Sequence, residues 1–286
     1  MSNLRANAKL NGLYALRGSW IKAILGLLII ALLDLGLTEL DSAYRGLLSI
    51  PLMGADGLLN SDLRSFFIEL VFTVLSFLIM APLSLGLLEW YWNLTGGKPS
   101  GVGDIFAWYG SLRMYAKSLL LNLVVFVRSF LWQVLTLGAP IAMLAAAEYF
   151  SNGLTLSGSL SAEQTQRLLL AAILFLFGCL LLLGGVILLI YIMSRYLLAY
   201  FLVVEDSTRP VRAAVRDSIA LSRPYRWEIT KFVLSYIGWF ISCMALLPIL
   251  YVAPYFLSAL SVFSKHIIYS QRVKNGGAPA ASRESA

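Results

Sequence analysis

Hydrophobic positions in this chain fall in long runs separated by short polar stretches. They show neither the alternation of a half-buried strand nor the single stripe of a soluble helix. A helix crosses a bilayer core about 30 Å thick with about 20 apolar residues. On that measure the runs predict six spans, at residues 20–37, 67–92, 118–146, 168–195, 229–247 and 248–268. Trp20 and Lys22 stand where the first span meets the head groups, and the second ends in the aromatic cluster Trp90-Tyr91-Trp92.

The polar stretches set the connections. Residues 38–65 read as a loop carrying Glu39, Asp41 and Asp62 against Arg45 and Arg64, and the pattern leaves open whether it re-enters the membrane. A turn at 95–99, with Gly96, Gly97 and Pro99, leads into a short segment at 102–115. A second polar loop covers 148–167. The fourth run carries no charge until Arg195 and is longer than a bilayer requires, so it tilts or bends, with Gly178, Gly184 and Gly185 as bend points. Pro248 and Pro254 make the last two runs a helical hairpin kinked early in its second arm. The expected fold is an all-α polytopic transmembrane bundle forming one domain over residues 1–270. A disordered Gly-, Ala-, Pro- and Ser-rich tail covers 271–286. No internal repeat supports an inverted symmetry.

Composition agrees with this pattern. The 286 residues are 59% hydrophobic and 13% charged, with a mean hydropathy of +0.79, against about 45–50% and 25% for a soluble domain. The net charge of +7 does not point to nucleic acid, because the basic residues flank apolar runs rather than forming one patch. Arg5, Lys9, Arg17 and Lys22 precede the run at 23–37 as in a signal peptide. No small-x-small site follows, which makes it an uncleaved first span. Of the 22 Lys and Arg, 18 fall on one side of the six expected spans. Arg45, Arg64 and Arg167 fall on the other, and Arg128 lies within a span. The positive-inside rule then places both termini in the cytoplasm.

The most polar stretch, 205–226, predicts a short amphipathic helix lying in the cytoplasmic interface. Ser207 or Thr208 caps it, and Val211, Val215, Ile219 and Ser222 share its apolar face. Arg209, Arg212, Arg216 and Arg223 occupy the remainder and are the candidate contacts to anionic head groups or a partner. Read more plainly, they serve topology and anchoring alone. Arg128 is the sharpest single residue. Counted from residue 118 it stands about 15 Å into its span, near the midplane, where a charge is costly and normally paired or facing water. Asp34 reaches a similar depth in the first span, so Arg128 and Asp34 are a candidate intramembrane charge site. They would line a path, or form a structural ion pair.

Nothing in the sequence assembles a catalytic, metal or cofactor site. There is one histidine, His266, and the two cysteines, Cys179 and Cys243, lie singly in apolar runs. No phosphate loop and no nucleophile motif occurs, and Asp34 has no clear carboxylate mate.

Several stretches resemble a bacterial membrane family known as domain of unknown function 975. They are AAVRDSIALS at 213–222 with RPYRW at 223–227, SYIGW at 235–239 and APYF at 253–256. APLSLG at 81–86, GKP at 97–99, Ile105-Phe106 and the opening from Ala8 to Ile24 also match. Together they cover about two thirds of the chain. The family usually shows an Ile-Pro-Gly turn before the region of RYLLAY at 195–200, where this chain has Gly184-Gly185; its acidic-then-Pro motif is stretched here to 205–210. The resemblance implies a six-helix bundle in the bacterial inner membrane and assigns no activity. The expected role is non-enzymatic organisation of membrane lipids or partners through the basic helix. A small transporter or channel using Arg128 and Asp34 is the alternative.

Overall fold

The computed structural model describes residues 2–50, 62–98, 100–152, 161–245 and 247–274. Among these it is all-helical. Nine α-helices occur: α1 (Ser2–Leu16), α2 (Trp20–Leu47), α3 (Leu63–Thr95), α4 (Leu112–Ser151), α5 (Ala162–Glu205), α6 (Val211–Ser222), α7 (Arg226–Leu234), α8 (Ile237–Ser242) and α9 (Ile249–Lys274). Short 3-10 segments fill Val102–Tyr109, Arg223–Tyr225 and Cys243–Ala245. Four helices, α2 to α5, are long and apolar enough to cross a membrane.

These four carry their apolar side chains outward. Leu32, Leu131 and Leu183 are each more than 60% exposed, a polarity that is stable only where the surrounding solvent is lipid. The conventional core sits at the other end of the molecule. There the last three turns of α5, from Tyr196 to Val204, pack with α6, α7 and α9 around Trp92, Trp108, Phe232 and Phe263. A smaller cluster joins Leu16 and Ala23 to Leu83, Trp90, Tyr91 and Ile105.

Several expectations change. Residues 38–47 belong to α2 rather than to a loop, and Asp41 and Arg45 pair one turn apart at 3.0 Å. The rest of that loop, 51–61, lies outside the described residues. α1 was not anticipated, because Arg5, Asn7, Lys9 and Asn11 interrupt the apolar positions of its packing face. Gly12 meets α9 so closely that a Cβ there would stand 2.7 Å from the Ala259 backbone, and Ser258 Oγ donates to Gly12 O at 2.9 Å. α9 runs through Lys274, so 271–274 is helix rather than tail; the remainder, 275–286, lies outside the described residues.

Gly178 and Gly185 of α5 lie at a helix contact, while Gly184 faces open space. Ala171, Gly178, Gly185 and Ile192 recur every seven residues and are buried, the seam of an antiparallel pair with α4. A Cβ on Gly178 would stand 2.9 Å from Leu144 and one on Gly185 would stand 2.6 Å from Thr136 O. That carbonyl is four residues before Pro140, whose missing N–H leaves it free. α3 handles its proline differently. Pro82 frees Leu78 O, and the Tyr115 hydroxyl donates to it at 3.2 Å, while the Tyr109 hydroxyl donates to the adjacent Ile79 O. Gly86 makes room for the 3-10 segment, since a Cβ there would overlap Ile105 O.

The stretch expected as a fifth span is broken into α7, α8 and a 3-10 turn, of 9, 6 and 3 residues. None is long enough to cross. Tyr236 and Ser235 interrupt the helix, and the α7 half is drawn into the core, with Ile229, Thr230 and Phe232 buried.

Candidate functional site

α6 forms where the amphipathic pattern placed it, but its apolar face is occupied by protein. Val211, Ala214, Val215, Ser218 and Ser222 are buried, and Ser218 Oγ donates to Arg195 O of α5 at 2.6 Å. The preceding turn is fixed by Asp206, whose Oδ1 accepts from the Thr208 N–H at 2.9 Å and the Thr208 hydroxyl at 2.6 Å. These bonds hold its carboxyl below the usual range. Lys117 Nζ, from the first turns of α4, donates to Ser207 O at 2.6 Å. So α6 is a strut pinned to α4 and α5, and lipid does not contact its apolar side.

The opposite face carries the basic stripe. Arg212, Arg216, Ile219 and Arg223 follow at helical spacing, and the three arginines are exposed. Facing this stripe from α4 is Arg128. Arg128, Arg212 and Arg216 line one open depression of about 560 Å³ with Pro210, Ala213 and Ile219. Among the described residues Arg128 and Arg212 have no acidic partner, and Arg216 approaches only Asp217, at 3.5 Å. Arg209 pairs instead with Asp217, also at 3.5 Å. Arg223 does not line the depression.

This arrangement corrects the depth read for Arg128. Counting from residue 118 assumed that the membrane part of α4 begins there. Yet the early turns of α4 lie against the polar end of α5. Tyr200 donates to Asn122 Oδ1 at 3.3 Å, and the Arg195 guanidinium lies 5.4 Å from the centre of the Trp132 ring. Arg128, between Asn122 and Trp132, is therefore level with Arg195, the first charge after the apolar run of α5. Beyond it, 129–147 is free of charge and about 28 Å long at 1.5 Å per residue, enough for the bilayer core. Arg128 marks the rim of the apolar zone.

Asp34 lies elsewhere. It lines a depression of about 280 Å³ between α2 and α3, together with Thr38, Asp41 and Glu69. The structure brings Arg128 to Arg212 and Arg216, and it does not bring it to Asp34. Sequence reasoning had found all three arginines but had assigned them to two different sites. The missing signal was the antiparallel register of α4 on α5, which the heptad of small residues in α5 carries.

No curated protein and no solved structure matches the chain. A family profile does, across residues 2–271. The stretches at 81–86, 213–227, 235–239 and 253–256 all fall inside that match and lie in or beside α3, α6, α7, α8 and α9. The chain therefore belongs to the family described as protein of unknown function DUF975.

Proposed function

We propose that this protein is a non-enzymatic membrane organiser that holds anionic phospholipid at the cytoplasmic face of the bacterial inner membrane. The observation that carries the reading is the convergence of Arg128, Arg212 and Arg216 on one open depression at the rim of the apolar zone. Guanidinium groups bind phosphate oxygens in a planar, two-pronged geometry. Above Arg128 on the same helix, Leu131 and Leu135 are exposed apolar positions along which acyl chains would lie. That pairing of charge with apolar surface suits a lipid better than a soluble anion. The Lys and Arg distribution supports both termini being cytoplasmic, and it does not depend on the last two expected crossings, because no Lys or Arg lies between Lys231 and Lys265.

Each basic residue near an anionic surface contributes about 1 kcal/mol. Replacing Arg128→Gln together with Arg212→Gln removes about 2 kcal/mol, a roughly 30-fold loss of affinity. The test is native mass spectrometry of protein released from nanodiscs containing phosphatidylglycerol and phosphatidylcholine. Wild type should retain the anionic lipid selectively. The double variant should lose that selectivity, while Arg223→Gln should keep most of it. Unchanged enrichment in the double variant would remove the basis for this reading.

A further inference from the structure

The hairpin built by α7, α8 and α9 leaves a bare apolar tip. Ile237, Trp239, Ile241, Met244, Leu247 and Ile249 are all exposed, Met244 at 87% and Leu247 at 79%. The tip sits on segments that do not qualify as spans.

The neighbours of the tip fix its level. Tyr251, at the start of α9, stacks on Trp20, the first residue of α2, with ring centres 5.1 Å apart and planes within 10°. Trp239 lies 5.9 Å from the same Tyr251 ring. On the other arm, Lys9 Nζ stands 4.4 Å from the centre of the Tyr236 ring, and Glu228 of α7 meets Arg5 at 3.3 Å and Lys231 at 3.6 Å. Below that level α7 and α9 accompany the charged helix α1. Lys265 Nζ donates to Trp92 O at 2.5 Å, and Arg272 closes on Glu205 through two bonds of 2.7 and 2.5 Å. The exposed tip adjoins the ring contacts of Trp20, Trp239 and Tyr251, an aromatic belt of the kind found at a membrane interface.

The reach of the tip is small. One six-residue α-helix and one 3-10 turn rise at most about 15 Å together, half of a core about 30 Å thick. Full crossing would need α7 to leave the core and join α8 as one helix.

We propose that residues 237–245 and 247–251 form a re-entrant apolar wedge. It dips into the acyl layer of the leaflet from which α2 starts and returns to the same side, so that the chain crosses the membrane four times. The occupant of this surface is lipid. The charged groups Arg5, Lys9, Glu228 and Lys231 at its base, the aromatic belt at its neck and the contact of Tyr251 with Trp20 at the start of α2 all match a bilayer. The side on which it lies rests on the orientation proposed above.

The test uses the full chain in native membranes, with Cys179→Ala and Cys243→Ala removing the two thiols. Single cysteines are then placed by Met244→Cys and Leu247→Cys, with Ser207→Cys marking the basic end and Asn152→Cys the far end of α4. An impermeant maleimide is added to intact cells and to inverted vesicles, and nitroxide depth is read from oxygen against nickel accessibility. Positions 244 and 247 should resist the maleimide from both sides and report a shallow depth in the leaflet facing Ser207. Labelling of either from the Asn152 side, or a depth in the far leaflet, shows a complete crossing and overturns the proposal. Rapid labelling from the Ser207 side overturns it too, because the tip would then lie in water. Exchange of the two marker sides overturns the orientation alone, since the wedge is read relative to the markers.

Discussion

Tyr115→Phe deletes one hydroxyl and tests how α3 tolerates a proline in its apolar run. Pro82 has no N–H, so Leu78 O loses its helical partner, and Tyr115 supplies a replacement at 3.2 Å. In water such a carbonyl would turn to solvent. Here Leu78 is only partly exposed, and Ala81 and Pro82 are buried. An orphaned buried acceptor costs about 1–3 kcal/mol, while hydrogen bonds between membrane helices average about 0.6 kcal/mol. The expected cost of Tyr115→Phe is therefore about 1 kcal/mol. Pro82→Ala restores an N–H one turn from Leu78 O, and in that background Tyr115→Phe should cost only a few tenths. The measurement is reversible unfolding in mixed micelles for the four members of the cycle, followed by tryptophan fluorescence. Equal costs of Tyr115→Phe in both backgrounds would refute the argument, since the hydroxyl would then be serving something other than the proline-freed carbonyl.

Two further outcomes follow from the packing. Gly12→Ala forces a Cβ to within 2.7 Å of α9 backbone and should lower stability in detergent by about 1–3 kcal/mol; Gly36→Ala, where nothing lies within 4 Å, should be neutral or stabilising by up to about 1 kcal/mol, and thermal denaturation compares the two directly. The paired Arg272–Glu205 contact, partly buried at 28% and 14% side-chain exposure, fastens the end of α9 to the end of α5. Arg272→Lys should fail to replace it, because an ammonium cannot bridge both carboxylate oxygens, and hydrogen exchange should rise in the last turns of α9; unaltered exchange would show that the contact is dispensable.

The run pattern alone marks a helical membrane protein; of the six stretches it predicts to cross, four, α2 to α5, form helices long and apolar enough to do so, and the run at 229–247 forms none. An apolar run of about 20 residues in lipid has to satisfy its backbone within itself, and only a helix does that locally. Most of the buried face of α6 was legible for the same kind of reason, since Val211, Val215 and Ser222 recur at helical period; Ala214 and Ser218, small and ambiguous, escaped, and Ile219, read onto that face, is half-buried and lines the basic depression. What covers that face was not legible. Lipid and the end of α5 are equally apolar, and only the tertiary structure shows protein there. The same distinction explains α1, α7 and Arg128. α1 intersperses Arg5, Asn7, Lys9 and Asn11 among its apolar residues, so no local pattern reveals a face shaped to Ala259. The run at 229–247 has the composition of a span, yet Ile229 and Phe232 find a better-packed site in the core, and the helix breaks. Arg128 lies in an apolar stretch whichever way it is counted, and its depth depends on where α5 begins to flank α4. Local periodicity states which residues avoid water. Which apolar partner each one meets, and at what depth, is decided by the register between helices, through contacts distant in sequence.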